Sequence, residues 1–197
     1  MTREEFCPYG SVFLETKDYI FTRYGENEQD LYFKAWSETF ENSPVLNDKN
    51  FQWKSWEDVL ADTNKLQLKI VDKHTEEYIG EVSIMKLGGE MLELGVQLLR
   101  KYQGKGIGTR IVNLFVNQLK SIIEAEALGV RIRSDNLISQ RMFEKMGAVR
   151  IGVEGKEYAE LMWKFMQEMG KEKFEEIIKE DFERTQVYTI FYRLPMV

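Results

Sequence analysis

The segment that most constrains the fold of this chain is 92–109, which reads LELGVQLLRKYQGKGIGT. Its pattern predicts a strand over 92–99, a tight glycine-rich turn, and a helix whose apolar residues recur every three or four positions. Gly104, Gly106 and Gly108 remove Cβ atoms where the backbone must approach another group closely. A helix that begins there presents N–H groups and the positive end of its dipole, which predicts a phosphate or pyrophosphate site. The alternative is a turn whose glycines serve conformation only.

The glycine spacing departs from two common nucleotide-binding loops. The chain contains no GxxxxGK[ST] run, which excludes a Walker A loop. Its glycines follow GxGxG rather than GxGxxG, and no parallel βαβ units are predicted upstream, which disfavours a dinucleotide fold. A loop for ATP or NAD is therefore a minor alternative, which predicts thermal stabilisation of the protein by those nucleotides.

Composition removes several kinds of chemistry. Cys7 is the only cysteine and His74 is the only histidine among the 197 residues. An internal disulfide, a Cys/His zinc site and a Ser-His-Asp or Cys-His nucleophile are therefore excluded, and we expect no metal. The net charge of −6 argues against a nucleic-acid partner, because such a partner would require a basic face.

The sequence also shows no targeting pattern. No apolar run approaches the roughly 18 residues that are needed to span a bilayer. The first ten residues, MTREEFCPYG, hold no apolar stretch behind a basic start, so no signal peptide is expected. We therefore expect a cytoplasmic protein with no membrane partner.

Hydrophobic periodicity divides the rest of the chain into strands and helices. Before the glycine-rich turn we predict a strand at 17–24, helices beginning at Asn27 and at an N-cap Ser55, and an antiparallel meander of strands 66–72, 78–86 and 92–99. After the turn we predict a helix that Gly129 ends, a strand at 130–134, a helix at 137–146 that Gly147 ends, and strands at 148–153 and 187–194.

An unusual segment, 154–186, lies between the last two predicted strands. Apolar residues at helical spacing on both sides of Gly170 predict two amphipathic helices, which would form an inserted helical hairpin. The hairpin holds ten acidic and six basic residues, so it carries most of the net negative charge. The hairpin would serve either as an arm that joins two copies in a homodimer or as a lid.

Two motifs together identify a family resemblance. Residues 103–108, QGKGIG, resemble the Q/R-x-x-G-x-G/A pyrophosphate loop of the GNAT superfamily, the acyl-CoA-dependent N-acyltransferases. Residues 136–148, NLISQRMFEKMGA, resemble the N-x-x-S-x-x-x-[YFL]-E-K-x-G-[FA] helix of that superfamily. The two motifs stand in the family's order, with a predicted strand between them. The sequence of residues 92–106 is similar to the sequences of the branch that contains ribosomal-protein N-terminal, spermidine and antibiotic acetyltransferases.

The resemblance implies both a fold and an acyl donor. The fold would be α/β (α+β), with a mixed, mostly antiparallel central sheet flanked by helices, in a single domain over 1–197 that carries the hairpin as an insertion. The donor would be acetyl-CoA, whose pantetheine would fill a gap between strand 92–99 and strand 130–134. The residues implied at this cofactor are Leu98, Leu99, Arg100, Gln103, Gly104, Lys105, Gly106, Ile107, Gly108, Thr109, Asn136 and Phe143. The backbone amides of 103–109 would hold the pyrophosphate, and the Asn136 side chain would bond the pantetheine arm.

The resemblance also implies a direct transfer, in which a base must first deprotonate the acceptor amine. Glu93 matches a strand glutamate that serves as this base, often through water, in related enzymes. Glu81 on the neighbouring predicted strand is a second candidate, and the alternative for each is a solvated strand carboxylate. A backbone N–H of strand 92–99 would polarise the thioester carbonyl.

One position departs from the family pattern. Many GNAT enzymes place a tyrosine where this chain has Phe143, and the tyrosine hydroxyl protonates the leaving thiolate. Phenylalanine cannot donate that proton. Either Ser139 or a water supplies it, or the thiolate leaves unassisted, which the acidity of a thiol makes tolerable.

Two functions of different classes follow. The first is an acetyl-CoA-dependent N-acetyltransferase that acts on a primary amine of a small molecule or of a peptide N-terminus. The second is a CoA-binding sensor or interaction module without turnover, which Phe143 and the hairpin motivate. One or two of four aromatic residues, Trp36, Phe40, Trp53 and Trp56, would wall an acceptor pocket. Glu81, Glu93 and the acidic residues of the hairpin could make that pocket suit a polyamine or an aminoglycoside, unless the hairpin carboxylates are only a solvated face.

Overall fold

The computed structural model describes residues 3–8, 11–39, 49–154 and 189–196. The chain divides into two compact units, 1–128 with 196–197 and 129–195. The predicted hairpin, except Glu154, lies outside the described residues, as does Phe40. The insertion and the single-domain organisation therefore stay predictions.

The first unit holds a five-stranded antiparallel sheet. Its strands are β1 (Val12–Glu15), β2 (Tyr19–Arg23), β3 (Lys65–Asp72), β4 (Tyr78–Met85) and β5 (Glu93–Leu98), and they pair in chain order. Its helices are α1 (Arg3–Phe6), α2 (Gln29–Thr39), α3 (Lys49–Ala61) and α4 (Ile107–Lys120), with a 3-10 turn at Arg100–Tyr102. The predicted antiparallel meander is confirmed.

The second unit contains α5 (Leu137–Lys145), β7 (Val149–Glu154), β8 (Thr189–Pro195) and most of β6 (Ala127–Arg133). Its strands follow the order β6–β8–β7, and β7 and β8 are antiparallel. The predicted class, a mixed α/β fold with mostly antiparallel strands and flanking helices, is confirmed.

The alternation of β3, β4 and β5 separates an apolar face from a polar face. Leu66, Leu68, Val82 and Ile84 occupy the apolar face and are fully buried. Burying each such side chain contributes on the order of 1.5–3 kcal/mol. On the polar face, Gln67 lies opposite Ser83, Glu81 opposite Gln97, and Glu93 opposite Met85. The candidate catalytic carboxylates thus share one face of the sheet.

A β-bulge moves one tyrosine onto this polar face. Ile70 pairs with Gly80 but Val71 pairs with Tyr78, so Ile79 is an extra residue in β4. Cross-strand partners share a face, and Val71 alternates with Ile70. The bulge therefore puts Tyr78 on the face of Glu81, whereas regular alternation would put it on the opposite face.

Two predicted helix boundaries are wrong. Ser55 does not cap a helix, because α3 begins at Lys49 and Ser55 lies within it. Residues 49–61 contain no glycine or proline, so nothing in the backbone stops the helix from extending upstream. Gly129 does not end α4, which closes at Ser121, whose N–H donates to the Gln118 carbonyl at 3.1 Å. Gly129 instead lies inside β6.

The boundary at Gly147 is confirmed. Its φ is +90°, the left-handed conformation that glycine adopts without a steric cost, and its N–H donates to the Glu144 carbonyl at 3.0 Å. The short elements α1 and β1 were not predicted, because four residues are too few to show a periodic pattern.

Candidate active site

The glycine-rich turn adopts a conformation that only glycine takes readily. Gly104 and Gly106 have φ of +70° and +76°. A Cβ added at either residue would meet nothing within 4 Å, so these glycines are required for backbone direction and the space before them is open. Gly106 is the N-cap of α4 and makes no side-chain capping bond. The first turn of α4 therefore presents amide donors to a ligand rather than to a capping side chain.

Side chains fix the turn to the elements around it. The Gln103 amide nitrogen donates to the Leu98 carbonyl at 2.7 Å, which ties the turn to the end of β5. The Arg100 N–H donates to Glu38 Oε2 at 2.7 Å, which ties the preceding 3-10 turn to α2. Such anchoring holds the amides of the turn in place before a ligand arrives.

The structure places the remaining cofactor candidates of the first unit around this turn. Leu98 and Leu99 are buried, whereas Arg100 and Lys105 are exposed. Ile107, Gly108 and Thr109 are half-buried in the first turn of α4. The exposed Lys105 ammonium can add positive charge at the rim of a pyrophosphate site.

Glu93 begins β5 and is buried, with 4% of its surface exposed. It forms an ion pair with Lys86, whose side chain is about half exposed. In the antiparallel pair of β4 and β5, Glu81 lies opposite Gln97. Glu93 lies four residues before Gln97 along β5. A strand rises about 3.3 Å per residue, which separates the two carboxylates by about 13 Å. Glu81 and Glu93 therefore act as separate groups and do not share a proton.

Glu81 lies at the centre of a buried hydrogen-bond network. β4 is buried on both faces along seven of its eight residues, and Glu81 is 5% exposed. The Tyr24 hydroxyl donates to Glu81 Oε2 at 2.9 Å, and the Tyr24 and Tyr78 hydroxyl oxygens are 2.8 Å apart. The bulge at Gly80 is what brings Tyr78 into this network.

Burial dominates the proton affinities in this network. It raises the pKa of Glu81, against the hydrogen bond from Tyr24, the charge of Lys65 and the adjacent Gln67 amide. Burial, together with the charge of Glu81, also raises the pKa of Tyr24. The pKa of Tyr78 rises for the same two reasons, although its bond with Tyr24 lowers it. Both tyrosines are therefore neutral hydroxyls, and Glu81 is a stronger base than an exposed glutamate.

Aromatic rings cover the network. The Tyr24 ring meets Trp56 edge-on with ring centroids 5.9 Å apart, and it meets Tyr32 edge-on at 5.7 Å. Burial raises the pKa of Tyr32 to about 12. Trp36 packs against the buried cluster that contains Tyr24, Tyr32 and Trp56. These rings exclude water from the buried carboxylate.

Trp56 also lines a cavity of about 470 Å³. The lining combines aromatic and acidic side chains: Glu26, Asn27, Gln29, Asp30, Trp53, Trp56, Glu57 and Leu60. The Trp56 indole donates to the Glu26 carbonyl at 2.9 Å, and the Glu28 carboxylate accepts from the Gly25 N–H at 2.6 Å. The first bond holds the 24–28 loop against α3, and the second closes the loop on itself. Of the four aromatic candidates for a pocket wall, Trp53 and Trp56 line this cavity.

The second unit carries three sequence-predicted residues on α5. Asn136 caps this helix, since its Oδ1 accepts from the Ser139 N–H at 3.0 Å. Ser139 is half-buried, and Phe143 is buried with 2% of its surface exposed. The predicted contact of Asn136 with pantetheine and the predicted roles of Ser139 and Phe143 stay predictions.

Sequence reasoning missed Tyr24, Tyr78 and Lys86. A signal for Tyr78 was present in Gly80, because a glycine inside a strand pattern often marks a bulge. Tyr24 stands 57 residues from Glu81, and no local pattern links residues so far apart.

Neither a metal centre nor a membrane span is found in the described parts of the chain. Their histidine, cysteine and carboxylate side chains form no group of three that could hold a metal ion. None of their helices is long and apolar enough to cross a bilayer.

Comparison with known proteins agrees with the sequence motifs and the fold. The family model of the acetyltransferase (GNAT) domain matches residues 17–149. No curated protein matches the chain.

Solved structures with a similar fold include three acetyltransferases of different kinds. A spermidine N-acetyltransferase chimera from Vibrio cholerae and hSSAT superposes with a TM-score of 0.66 at 10% identity, covering 90% of this chain and 95% of that one. A ribosomal-protein alanine acetyltransferase from Vibrio fischeri gives 0.56 at 16% identity, covering 74% and 87%. The microcin C7 self-immunity acetyltransferase, in complex with acetyl-CoA and AMP, gives 0.59 at 17% identity, covering 72% and 84%. At these identities the likeness shows the fold.

Proposed function

The chain belongs to the GNAT acetyltransferase family, and from that premise we propose that it transfers the acetyl group of acetyl-CoA directly to a primary amine. The acceptor would be a small molecule or a peptide N-terminus. The observation that carries this proposal is the turn at 103–109, where Gly104 and Gly106 leave open space before the uncapped N-terminus of α4.

The turn fits the pyrophosphate of acetyl-CoA. A pyrophosphate needs several N–H donors and positive charge, which the amides of 103–109 and the Lys105 ammonium can supply. Leu98, Leu99 and Arg100 would lie along the pantetheine. When bound, acetyl-CoA supplies an activated thioester carbonyl for the amine to attack.

The protein must remove a proton from the acceptor, because an ammonium ion has no lone pair for attack. Two buried carboxylates can accept it. Glu93 is held by Lys86 and would act through water. Glu81 is shielded by aromatic rings, and its raised pKa makes it a stronger base than an exposed glutamate. The thiolate would leave unassisted or take a proton from Ser139 or water, since Phe143 cannot donate one.

The cavity at Trp53 supports an acceptor that carries a second positive charge. Glu26, Asp30 and Glu57 bring three carboxylates to its wall, and the exposed indole of Trp53 offers a face that attracts cations. Trp56 also contacts Tyr24, the hydrogen-bond partner of Glu81. A diamine, polyamine or aminoglycoside would suit such a cavity better than a neutral amine.

Incubation of the purified protein with acetyl-CoA and a panel of amines tests the proposal. The panel would contain polyamines, aminoglycosides, amino acids and N-terminal peptides, and the readout would be thiol release. We expect thiol release with at least one class of cationic amine. Tight CoA binding without thiol release across the panel would replace the enzyme with a CoA-binding module.

A further inference from the structure

We propose that Tyr78, Tyr24 and Glu81 form a proton wire, which carries a proton from the acceptor ammonium to the buried Glu81 carboxylate. This inference rests on the proposed function, because the proton to be moved is that of the acceptor amine. It adds Tyr78, which would take the proton from the ammonium, and Tyr24, which would pass it on to Glu81.

The direction of the wire follows from the number of protons available. An ionised carboxylate only accepts hydrogen bonds, so the Tyr24 hydroxyl donates to Glu81 Oε2 across 2.9 Å. That bond uses the single hydroxyl proton of Tyr24, so the 2.8 Å bond between the tyrosines is donated by Tyr78. A lone pair of the Tyr78 oxygen is then available to a further donor. An acceptor ammonium is a donor of the required kind.

The outer end of the wire lies beside the strand end that leads to the pyrophosphate turn. Tyr78 belongs to the same buried cluster as Leu99. The Leu99 N–H donates to the carbonyl of Ile79, the residue that follows Tyr78, at 3.0 Å. Leu99 precedes the 3-10 turn, and the Gln103 N–H donates to the carbonyl of Arg100, the first residue of that turn. The backbone beside Tyr78 is thus hydrogen-bonded to the strand end that leads to the pyrophosphate turn.

Charged and titratable groups lie beside the wire on β3 and α2. Lys65 on β3 lowers the pKa of Glu81, and burial lowers the pKa of Lys65 itself. Tyr32 and Glu38 on α2 both act on Tyr78 to raise its pKa. Lys69, directly opposite Glu81 on β3, is paired with Glu28. These groups leave Glu81 as the proton acceptor within the network.

The transfer balances with one proton and no oxidant. The ammonium N–H bond breaks as its proton moves to the Tyr78 oxygen, while the proton of Tyr78 moves to Tyr24 and that of Tyr24 moves to Glu81. Both tyrosines end as neutral hydroxyls, Glu81 ends as a neutral carboxylic acid, and the amine ends with a lone pair. The raised pKa values of Tyr24 and Tyr78 are consistent with hydroxyls that pass a proton on without remaining ionised.

The test uses the full chain, acetyl-CoA and an amine that the wild type acetylates. Tyr24→Phe, Tyr78→Phe and Glu81→Gln are each expected to lower kcat/KM near neutral pH by about a hundredfold, the scale of general-base catalysis. The rising limb of the pH profile should move towards the pKa of the free amine. Combining Tyr24→Phe with Glu81→Gln should cost no more than Glu81→Gln alone, and the Kd for CoA should not change.

The matched control is Tyr192→Phe, which removes a buried tyrosine's 3.0 Å bond to Glu144 in the second unit. We expect it to leave kcat/KM and the pH profile unchanged. Solvent mixtures of H₂O and D₂O give a second measurement on the unmodified protein. We expect the rate to depend on deuterium content along a curve, because more than one proton moves in the rate-limiting step.

Full activity of Tyr24→Phe and Tyr78→Phe beside an active wild type would overturn the wire and leave the proposed function standing. A linear deuterium dependence would overturn it as well, as would additive losses with an unmoved pH profile. A wild type that acetylates no amine would overturn the proposed function and the wire together.

Discussion

Gly80 and Gln97 approach so closely that a Cβ on Gly80 would lie 2.2 Å from the carbonyl oxygen of Gln97. Gly80 also has a φ of +147°, a region that residues with side chains rarely adopt. The contact locks the bulge that places Tyr78 beside Tyr24. One backbone position in β4 therefore controls the geometry of the buried network.

Gly80→Ala should destabilise the fold, because backbone rather than a movable side chain opposes the added methyl group. We expect a loss of at least about 2 kcal/mol in the free energy of unfolding, measured with urea. Gly152→Ala is the control, since a Cβ there would meet nothing within 4 Å. Equal stability of the two variants would show that the bulge does not depend on glycine.

The turn at 103–109 should depend on glycine for binding. Gly104→Ala and Gly106→Ala each force a side chain into the left-handed region, at a cost of about 1–2 kcal/mol, and misdirect the amides. Calorimetry should show that CoA binds more weakly to both variants. Gly88→Ala carries the same backbone strain, with φ +91° and open space, outside the turn. If Gly88→Ala weakens CoA binding as much, the turn is not the pyrophosphate site.

The cavity should discriminate between acceptors by charge. Trp53→Ala is expected to raise the KM of a doubly charged amine by roughly twofold to thirtyfold, the equivalent of about 0.5–2 kcal/mol of cation–π attraction. Glu57→Gln should act in the same direction, and added salt should reduce its effect. Lys54→Ala, an exposed change on the same helix outside the cavity wall, is the control. Equal KM values for all the variants would place acceptor binding elsewhere.

Glu81 should make stability depend on pH. Its pKa is raised above the ordinary 4.5, so the folded state binds more protons than the unfolded state between those two values. The stabilisation is complete below about pH 4.5 and is lost as the pH rises through the folded-state pKa. Glu81→Gln should remove this loss, and Glu57→Gln, at an exposed carboxyl, should retain it. Urea unfolding at several pH values checks this, and parallel profiles for wild type and Glu81→Gln would contradict it.

Local sequence patterns were sufficient to predict most helices and strands but not the hydrogen-bond network around Glu81. The alternation of 92–99, the glycines of the turn and the cap at Gly147 each express a rule that acts within a few residues. The helix start at Ser55 failed because a capping residue inside a helix-compatible run does not have to end the run. The same limit applied to Gly129, which a strand accommodates.

The partners of Glu81 required the folded structure. Tyr24 reaches Glu81 across two strand pairings, and Tyr78 does so only because one residue is inserted in β4. A shift of one residue in register reverses the face of a side chain, so no sequence pattern could place Tyr78 until that bulge was known. Burial of Glu81 is likewise a property of β4 lying between two neighbours with both faces covered.

Acetyl transfer to an amine is tested most directly by counting products. The wild-type protein, acetyl-CoA and a doubly charged primary amine would be incubated, and mass spectrometry of the amine would be compared with the thiol released. We predict one acetylated amine for each CoA thiol, with the rates of both products falling together by about a hundredfold in Glu81→Gln near neutral pH. Thiol release without an acetylated amine, or neither product from a protein that binds CoA, would contradict it.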